Sequence, residues 1–493
     1  MPDRPNVVII MTDQQRADLT AREGYALDTT PFIDSFAKTG VDFSRAYTSM
    51  PICGPARVSM FTGRFPSATR VRTNHNIGDA TYEKDLVDLL KEAGYAVGLS
   101  GKNHSHIGAD RWDFLKAFGH GGGSGDDRTP EEVAFDEYLQ KLRHRTHMDP
   151  TPHAVECQNP YRIVSHAQKW IESLSGAPFF LWMSIPEPHN PYQAPEPYYS
   201  MFPPESLPKP RSDEGALERK GYRWQRLRSL WDQGVPEYER ERPRARANYH
   251  GMLRLIDDQV KRFLEYLDAS GLRENTIVIY MTDHGDFVGE YGLIRKGPEL
   301  PEQLTRIPMI WSGPGIAPRA ERNGAHVGTC DVMPTLCELL GFEMPRGVQG
   351  RSLAPILKGE AYPEDEFASI YVEHGFGGLT YDESDTLDPV EEGALRDAGG
   401  FDCLNTWTQA GHTRIVRRGE YKLWFDAQGR GQLYNVVEDP AELNDLYQSA
   451  DHRDIRHRLM EDMITWSMRV QDPLPYPHRR YVYKRHERNY WRG

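Results

Sequence analysis

The chain has 493 residues, 38% of them hydrophobic and 11% aromatic, which is enough to bury a sizeable core and excludes wholesale disorder. Its 72 acidic residues outnumber the 59 basic ones, for a net charge of −13, so it lacks the basic footprint that sequence-blind nucleic-acid binding needs. The five cysteines, at 53, 157, 330, 337 and 403, make neither an even disulfide framework nor a Cys-x-x-Cys zinc pair.

In chain order, Val7–Met11 is a continuous apolar run that suits a buried parallel strand, with Asp13 just past its end. That run is too short for a signal-peptide core and leads to an acid rather than a small-residue cleavage site. No stretch has the length of a membrane helix. The sequence therefore reads as a cytoplasmic protein without a membrane partner. Glu83–Ala93, closed by Gly94, predicts a helix, and Tyr95–Leu99 predicts a strand running to Gly101-Lys102. Phe179–Ile185 predicts a third buried strand, followed by Pro186-Glu187-Pro188-His189. Asn248–Leu267 carries apolar residues at helical spacing, and Thr276–Met281 predicts a fourth strand that ends at Asp283-His284-Gly285.

Strands alternating with helices predict an α/β fold, a large mostly parallel sheet flanked by helices, over residues 1–365. From about Tyr371 the texture changes. Gly375–Asn405 reads as a loop or lid, Thr413–Phe425 and Gly431–Val437 as antiparallel strands, and Arg453–Val470 as a helix. Residues 366–493 are expected to form a smaller α+β subdomain. Its basic, aromatic end, Arg479–Arg492, reads as a tail packed on this chain or on a second copy, the one sequence feature that would support a homo-oligomer.

The chemistry is expected beyond the carboxyl ends of the strands, where open α/β sheets bind ligands. Asp13, Lys102, His189 and Asp283 all fall there. Cys53 precedes Pro55, a residue suited to a first helical turn, so the thiol is expected at a helix N-terminus that favours anions. An isolated cysteine is usually a small buried apolar residue. One at a helix start beside Arg57 is less ordinary.

Cys53-Gly54-Pro55-Ala56-Arg57 with Thr62-Gly63-Arg64 resembles the signature of the sulfatase family, within the alkaline-phosphatase-like superfamily. Gly101-Lys102-Asn103-His104, Asp283-His284-Gly285 with Lys296, and Glu438-Asp439-Pro440-Ala441-Glu442 resemble that family's later motifs in the same order. The Asp13-Gln14 and Asp283-His284 pairs are similar to choline-sulfatase-like and phosphonate-monoester-hydrolase-like relatives.

The resemblance implies that a formylglycine-generating or sulfatase-maturating enzyme converts Cys53 to formylglycine, whose hydrated aldehyde is the nucleophile. It implies one divalent metal, Ca²⁺ first with Mn²⁺ or Mg²⁺ as alternatives, on Asp13, Gln14, Asp283, His284 and the modified Cys53. It implies that Arg57 supports the nucleophile and that Lys102 and Lys296 bind sulfate oxygens. His104 would assist proton removal, and His189, with a histidine pKa near neutrality, would protonate the leaving oxygen. Arg72, Asn74 and His75 are candidates for a leaving-group subsite, as are Tyr381, Asp382 and Trp407. His106 reads as structural or substrate-adjacent. The expected reaction is hydrolysis of a sulfate ester of a small molecule or glycan, O-linked or N-linked. Phosphonate or phosphate ester hydrolysis at the same site is the alternative, and an unmodified, metal-dependent anion-binding protein is the reading outside enzymology.

Overall fold

The computed structural model describes residues 4–470, apart from positions 144, 236, 298, 376, 378, 381 and 385–410. Ten strands join in one sheet: β1 Asn6–Asp13, β2 Val41–Tyr47, β3 Ala96–Gly101, β4 Phe114–Gly119, β5 Gly122–Gly123, β6 Phe179–Pro188, β7 Thr276–Thr282, β8 Arg306–Ile307, β9 Met309–Ser312 and β10 Asn323–Gly328. The spatial order is β10-β2-β9-β7-β1-β6-β3-β4-β5, with β8 paired to β2. The run β7-β1-β6-β3-β4 is parallel throughout, so five consecutive strands end on one edge.

The central strands are apolar on both faces because both faces are covered. Along β1, Val7, Ile9 and Met11 pack into one core layer, while Val8 and Ile10 pack into the other. Helices Cys53–Thr62, Leu86–Glu92 and Val332–Leu340 cover the first layer, and Pro31–Phe36, Asn159–Glu172 and Tyr238–Ala269 cover the second. The last of these begins ten residues earlier than its apolar spacing predicts. Pro243 lies inside it, past the free N–H groups of the first turn, and has no N–H to give the Glu239 carbonyl.

A second, antiparallel sheet runs β11 Ser369–His374, β12 Thr413–Arg418, β13 Tyr421–Asp426 and β14 Gly431–Asn435. Helix Arg453–Val470 covers one face through Leu459 and Trp466, and Ile370, Val372, Ile415 and Trp424 pack the other against Tyr47 and Leu300. The Asp439–Glu442 turn ties this sheet to the larger one. Tyr291 Oη donates to Ala441 O at 2.9 Å, Gln303 Nε2 to Pro440 O at 2.8 Å, and the Glu302 N–H to Glu442 Oε1 at 2.7 Å. No helix among the described residues is long and apolar enough to cross a membrane.

His106 has a structural partner. It donates from Nε2 to Asp85 Oδ2 at 2.9 Å, and Asp85 also takes both Arg111 guanidinium nitrogens and caps helix Leu86–Glu92 through the Asp88 N–H. Burial pushes the Asp85 carboxyl up, but the hydrogen bonds from His106 and Arg111 outweigh it and bring the pKa down to about 2. A folded pKa below the unfolded one stabilises above about pH 4 and loses that contribution as pH falls toward 2. Asp85→Asn should therefore cost about 2 kcal/mol at pH 6, a gap that shrinks by about half at pH 3. Urea unfolding at both pH values measures it, and a gap that does not change with pH contradicts the assignment.

Candidate active site

Strand register sets the first pair of groups. Thr12 of β1 pairs with Thr282 of β7, and Thr282 Oγ1 donates to Thr12 O at 2.8 Å, so Asp13 and Asp283 emerge side by side. Both carboxylates have no exposed surface. Gln14 adopts a left-handed φ of 70°, which aims its N–H at Asp283 Oδ1, 3.0 Å away. The His284 N–H donates to the same oxygen at 2.9 Å. His284 Nδ1 donates to Gly285 O at 2.9 Å, which turns Nε2 toward Cys53 Sγ at 3.2 Å.

The Cys53–Thr62 helix brings the thiol to this pair. Ile52, in extended conformation, precedes it, Pro55 lies in its first turn, and Gly63 closes it at φ 63° by donating to Ser59 O. Asn74 Oδ1 accepts the Gly54 N–H at 2.9 Å and so fixes the helix start. Cys53 Sγ comes to 3.5 Å from Asp13 Oδ1. Ligand atoms of Asp13, Cys53, Asp283 and His284 all lie within 4.8 Å of one another.

Arg57 runs from this helix into the space beneath. It donates from Nε to Asp283 Oδ2 at 3.0 Å, from Nη2 to Asp13 Oδ2 at 3.2 Å, and from Nη1 to Ser184 Oγ and Lys102 O at 2.8 Å each. Its guanidinium carbon lies 5.4 Å from the Trp182 ring centroid.

Two lysines approach from opposite sides. Lys102 follows Gly101, whose φ of 127° and missing Cβ let the chain pass Ser184 O, where a Cβ would sit 1.9 Å away. Lys102 Nζ donates to Asp13 Oδ2 and lies 2.8 Å from His120 Nε2. Lys296 Nζ lies 3.6 Å from Cys53 Sγ. His104 hydrogen-bonds Cys53. His189 donates from Nδ1 to Asn190 O at 2.7 Å, and its ring stacks on His120 at 3.7 Å.

The charges follow from this packing. Burial raises Asp13, but Lys102, His189 and Arg57 hold it well below the usual carboxylate range. Burial and then the neighbouring Asp13 push Asp283 up, as two adjacent acids require. Burial opposes the charged His284 ring, but Asp283 raises it. Burial and Asp13 push the Cys53 thiol up, yet Lys102, Lys296 and His284 together hold it well below the thiol range. The near-neutral pKa expected for His189 is not what its surroundings give: burial, then His120, push it well below the usual range.

The donor set suits a hard divalent cation with one imidazole ligand. Gln14 adds a second indication. Its Nε2 donates to Asp286, while its buried Oε1 has no hydrogen-bond partner among the described residues. A side-chain amide oxygen left over beside two carboxylates is a fitting cation ligand.

The remaining expected residues are spread out. Asn74 holds the helix start with its side-chain oxygen, and Arg72, half-buried, donates from Nη1 to Gly375 O at 3.3 Å. His75 and Asp382 are exposed, and the Asp382 carboxylate accepts from Ser384. Tyr381, Trp407 and the 479–492 tail lie outside the described residues. His120 is a site residue that the sequence reading missed. The available signal was its place after Gly119, at the end of a short strand carrying an apolar pattern in FLKAFG.

Comparison with known proteins agrees with this geometry. A family model described as Sulfatase matches residues 5–342. The chain belongs to the sulfatase family. It is 27% identical over 479 residues to an arylsulfatase of Clostridium perfringens, covering 92% of each chain. It is 26% identical over 475 residues to a choline-sulfatase of Rhizobium meliloti, covering 90% of this chain and 83% of that one. Its fold is similar to the phosphonate monoester hydrolase of Agrobacterium radiobacter, with TM-score 0.75, 21% identity, and 95% and 96% of the two chains covered. This sulfatase-family chain thus shares the alkaline-phosphatase-like architecture, a mostly parallel sheet with a small antiparallel sheet near its C-terminus, and falls among the sulfuric ester hydrolases.

Removing the guanidinium should expose what it compensates. Arg57→Met leaves two buried carboxylates without their shared cation and should lower unfolding free energy by roughly 3–5 kcal/mol. A loss under about 1 kcal/mol in urea unfolding contradicts that role.

Proposed function

We propose that the protein hydrolyses a sulfate monoester of a small molecule or carbohydrate, with formylglycine made from Cys53 as nucleophile. The observation that carries this reading is the meeting of Lys296, on Cys53, and Lys102, on Asp13, at a cluster of two metal-ligand-type carboxylates and the Cys53 thiol. In an acidic chain, positive charge concentrated at one point favours a small anionic group there.

A maturating enzyme would first convert the Cys53 thiol to the aldehyde. The hydrated aldehyde carries two hydroxyls. One oxygen bonds to sulfur while the sulfur–alkoxide bond breaks. The second then loses its proton, the carbon–oxygen bond to sulfate breaks, and the aldehyde returns. A serine could form the first ester but has no such exit. His104, hydrogen-bonded to position 53, is placed to take the proton. His189 would have to gain a proton before it could protonate the leaving oxygen, because burial and then His120 hold its ring well below the usual imidazole range. Lys102 and Lys296 bind the sulfuryl oxygens, and Arg57 holds Asp13 and Asp283 in place.

A divalent cation on Asp13, Gln14, Asp283, His284 and position 53, Ca²⁺ by preference or Mn²⁺ or Mg²⁺, would polarise a sulfuryl oxygen and acidify the attacking hydroxyl.

Hydrolysis of a phosphonate or phosphate ester is the second reading, favoured by the Asp13-Gln14 and Asp283-His284 pairs and by the fold it shares. The Lys102 and His104 pair favours sulfate over phosphonate monoesters. Protein with aldehyde at position 53 confirmed by peptide mass should show higher kcat/KM on an aryl sulfate than on the matched aryl phosphonate monoester. Cys53→Ala and Asp283→Ala should each lower turnover at least 10³-fold, on the scale of losing a nucleophile. Preference for the phosphonate contradicts the sulfate reading.

A further inference from the structure

At the end of β11, His374 is 2% exposed, and neither ring nitrogen has a hydrogen-bond partner among the described residues. A neutral imidazole carries one donor and one acceptor, and leaving both unmet in a protein interior costs about 1–3 kcal/mol each. Such a group calls for a ligand that both accepts and donates.

Its surroundings say which kind. Arg414 of β12 donates from Nη1 to His374 O at 3.2 Å, and Arg72 donates from Nη1 to the next carbonyl, Gly375 O, at 3.3 Å. Burial first, then the charges of Arg223, from helix Tyr222–Gly234, and Arg414, push the ring down to about 3. The compensating acids are few. Glu299 pairs with both Arg223 at 2.8 Å and Lys220 at 3.6 Å. Glu373 is the other, and its carboxylate is already bound to the Ser67 N–H and hydroxyl at 2.8 and 2.6 Å. Burial depresses Arg72, Glu373 opposes that, and Arg414 adds to it. Among the described residues, Arg72, Arg223, Arg414 and Lys220 thus have two carboxylates, Glu299 and Glu373, to offset them.

Two chain segments link the cluster to the Cys53 site. Arg72 lies two residues before Asn74, which holds the Gly54 N–H beside Cys53. Glu299 lies three residues after Lys296, which faces Cys53 Sγ.

We infer that Arg72, Arg223, Arg414 and His374 form a subsite for a second anion on the leaving group, next to a hydroxyl. This rests on the sulfatase reading and narrows its substrate class to acidic or multiply sulfated carbohydrates. The guanidinium groups take the anion's oxygens, and the two ring nitrogens, which point apart, take two separate ligand oxygens, one as acceptor from a hydroxyl and one as donor. A uronate carboxylate and a second sulfate share this chemistry.

The test uses Cys53→Ala protein, which binds without turnover, and three disaccharides, each with one sulfate ester. The first adds a uronate carboxylate, the second has that carboxyl reduced to a hydroxymethyl group, and the third carries a second sulfate instead. Calorimetric titration should show at least tenfold tighter binding for one or both doubly charged ligands, and which one identifies the anion. Adding Arg72→Gln or Arg414→Gln should shrink that ratio to twofold or less, while thermal melts report whether each variant folds. Equal binding of all three ligands overturns the subsite without any variant. Failure of the mature protein on aryl sulfate, with the binding ratio intact, would instead overturn the sulfatase reading.

Discussion

Arg57 has no exposed surface, and the two carboxylates it joins, Asp13 and Asp283, are equally sealed. Two acids side by side in a protein interior repel each other and lose their hydration, a cost that neither could bear alone. The guanidinium meets both with separate nitrogens and spends a third on Ser184 and the Lys102 carbonyl. It therefore fixes the acids, the β3 end and the Cys53–Thr62 helix to one another. Lysine, a single point charge, could not span those directions.

Sheet geometry delivers five of the groups at the site. Because β7, β1, β6, β3 and β4 are neighbours and parallel, Asp283, Asp13, His189, Lys102 and His120 leave the same edge in that order. The protein is acidic overall, yet Lys296 and His284 face Cys53, and Lys102 and His120 meet beside Asp13, which concentrates positive charge at one point. The Asp439–Glu442 turn and Tyr291 extend the arrangement to the small sheet, whose β11 and β12 ends approach the nucleophile loop.

The central strands were legible because burial on both faces leaves an unbroken apolar run, as in β1, β6 and β7. β2 was not legible: Asp42, Ser44 and Arg45 interrupt it, since it lies toward one side of the sheet and pairs outward with β10 and β8. β4 was hidden by Lys116, and with it His120, since Gly119–Gly123 reads as a loop. The start of helix Tyr238–Ala269 was masked by the charged run ERERPRAR, whose apolar contacts are few. Motif spacing brought Asp13, Cys53, Asp283 and His284 together on paper, and the coordinates place them together. The use of Asn74 as a backbone acceptor, the low His189 pKa and the unsatisfied His374 all depend on contacts between distant segments, which no local pattern records.

The central claim is that register and Arg57 hold Asp13, Gln14, Asp283 and His284 ready for a divalent cation. Thermal unfolding of metal-stripped protein with increasing Ca²⁺ or Mn²⁺ tests it, because a cation that binds only the folded state stabilises by RT ln(1 + [L]/Kd), about 2.7 kcal/mol at a hundredfold excess over Kd. The account predicts a saturable rise in Tm of several degrees for at least one ion, absent in Asp283→Asn. An unchanged Tm with every ion, or an equal rise in Asp283→Asn, would contradict it.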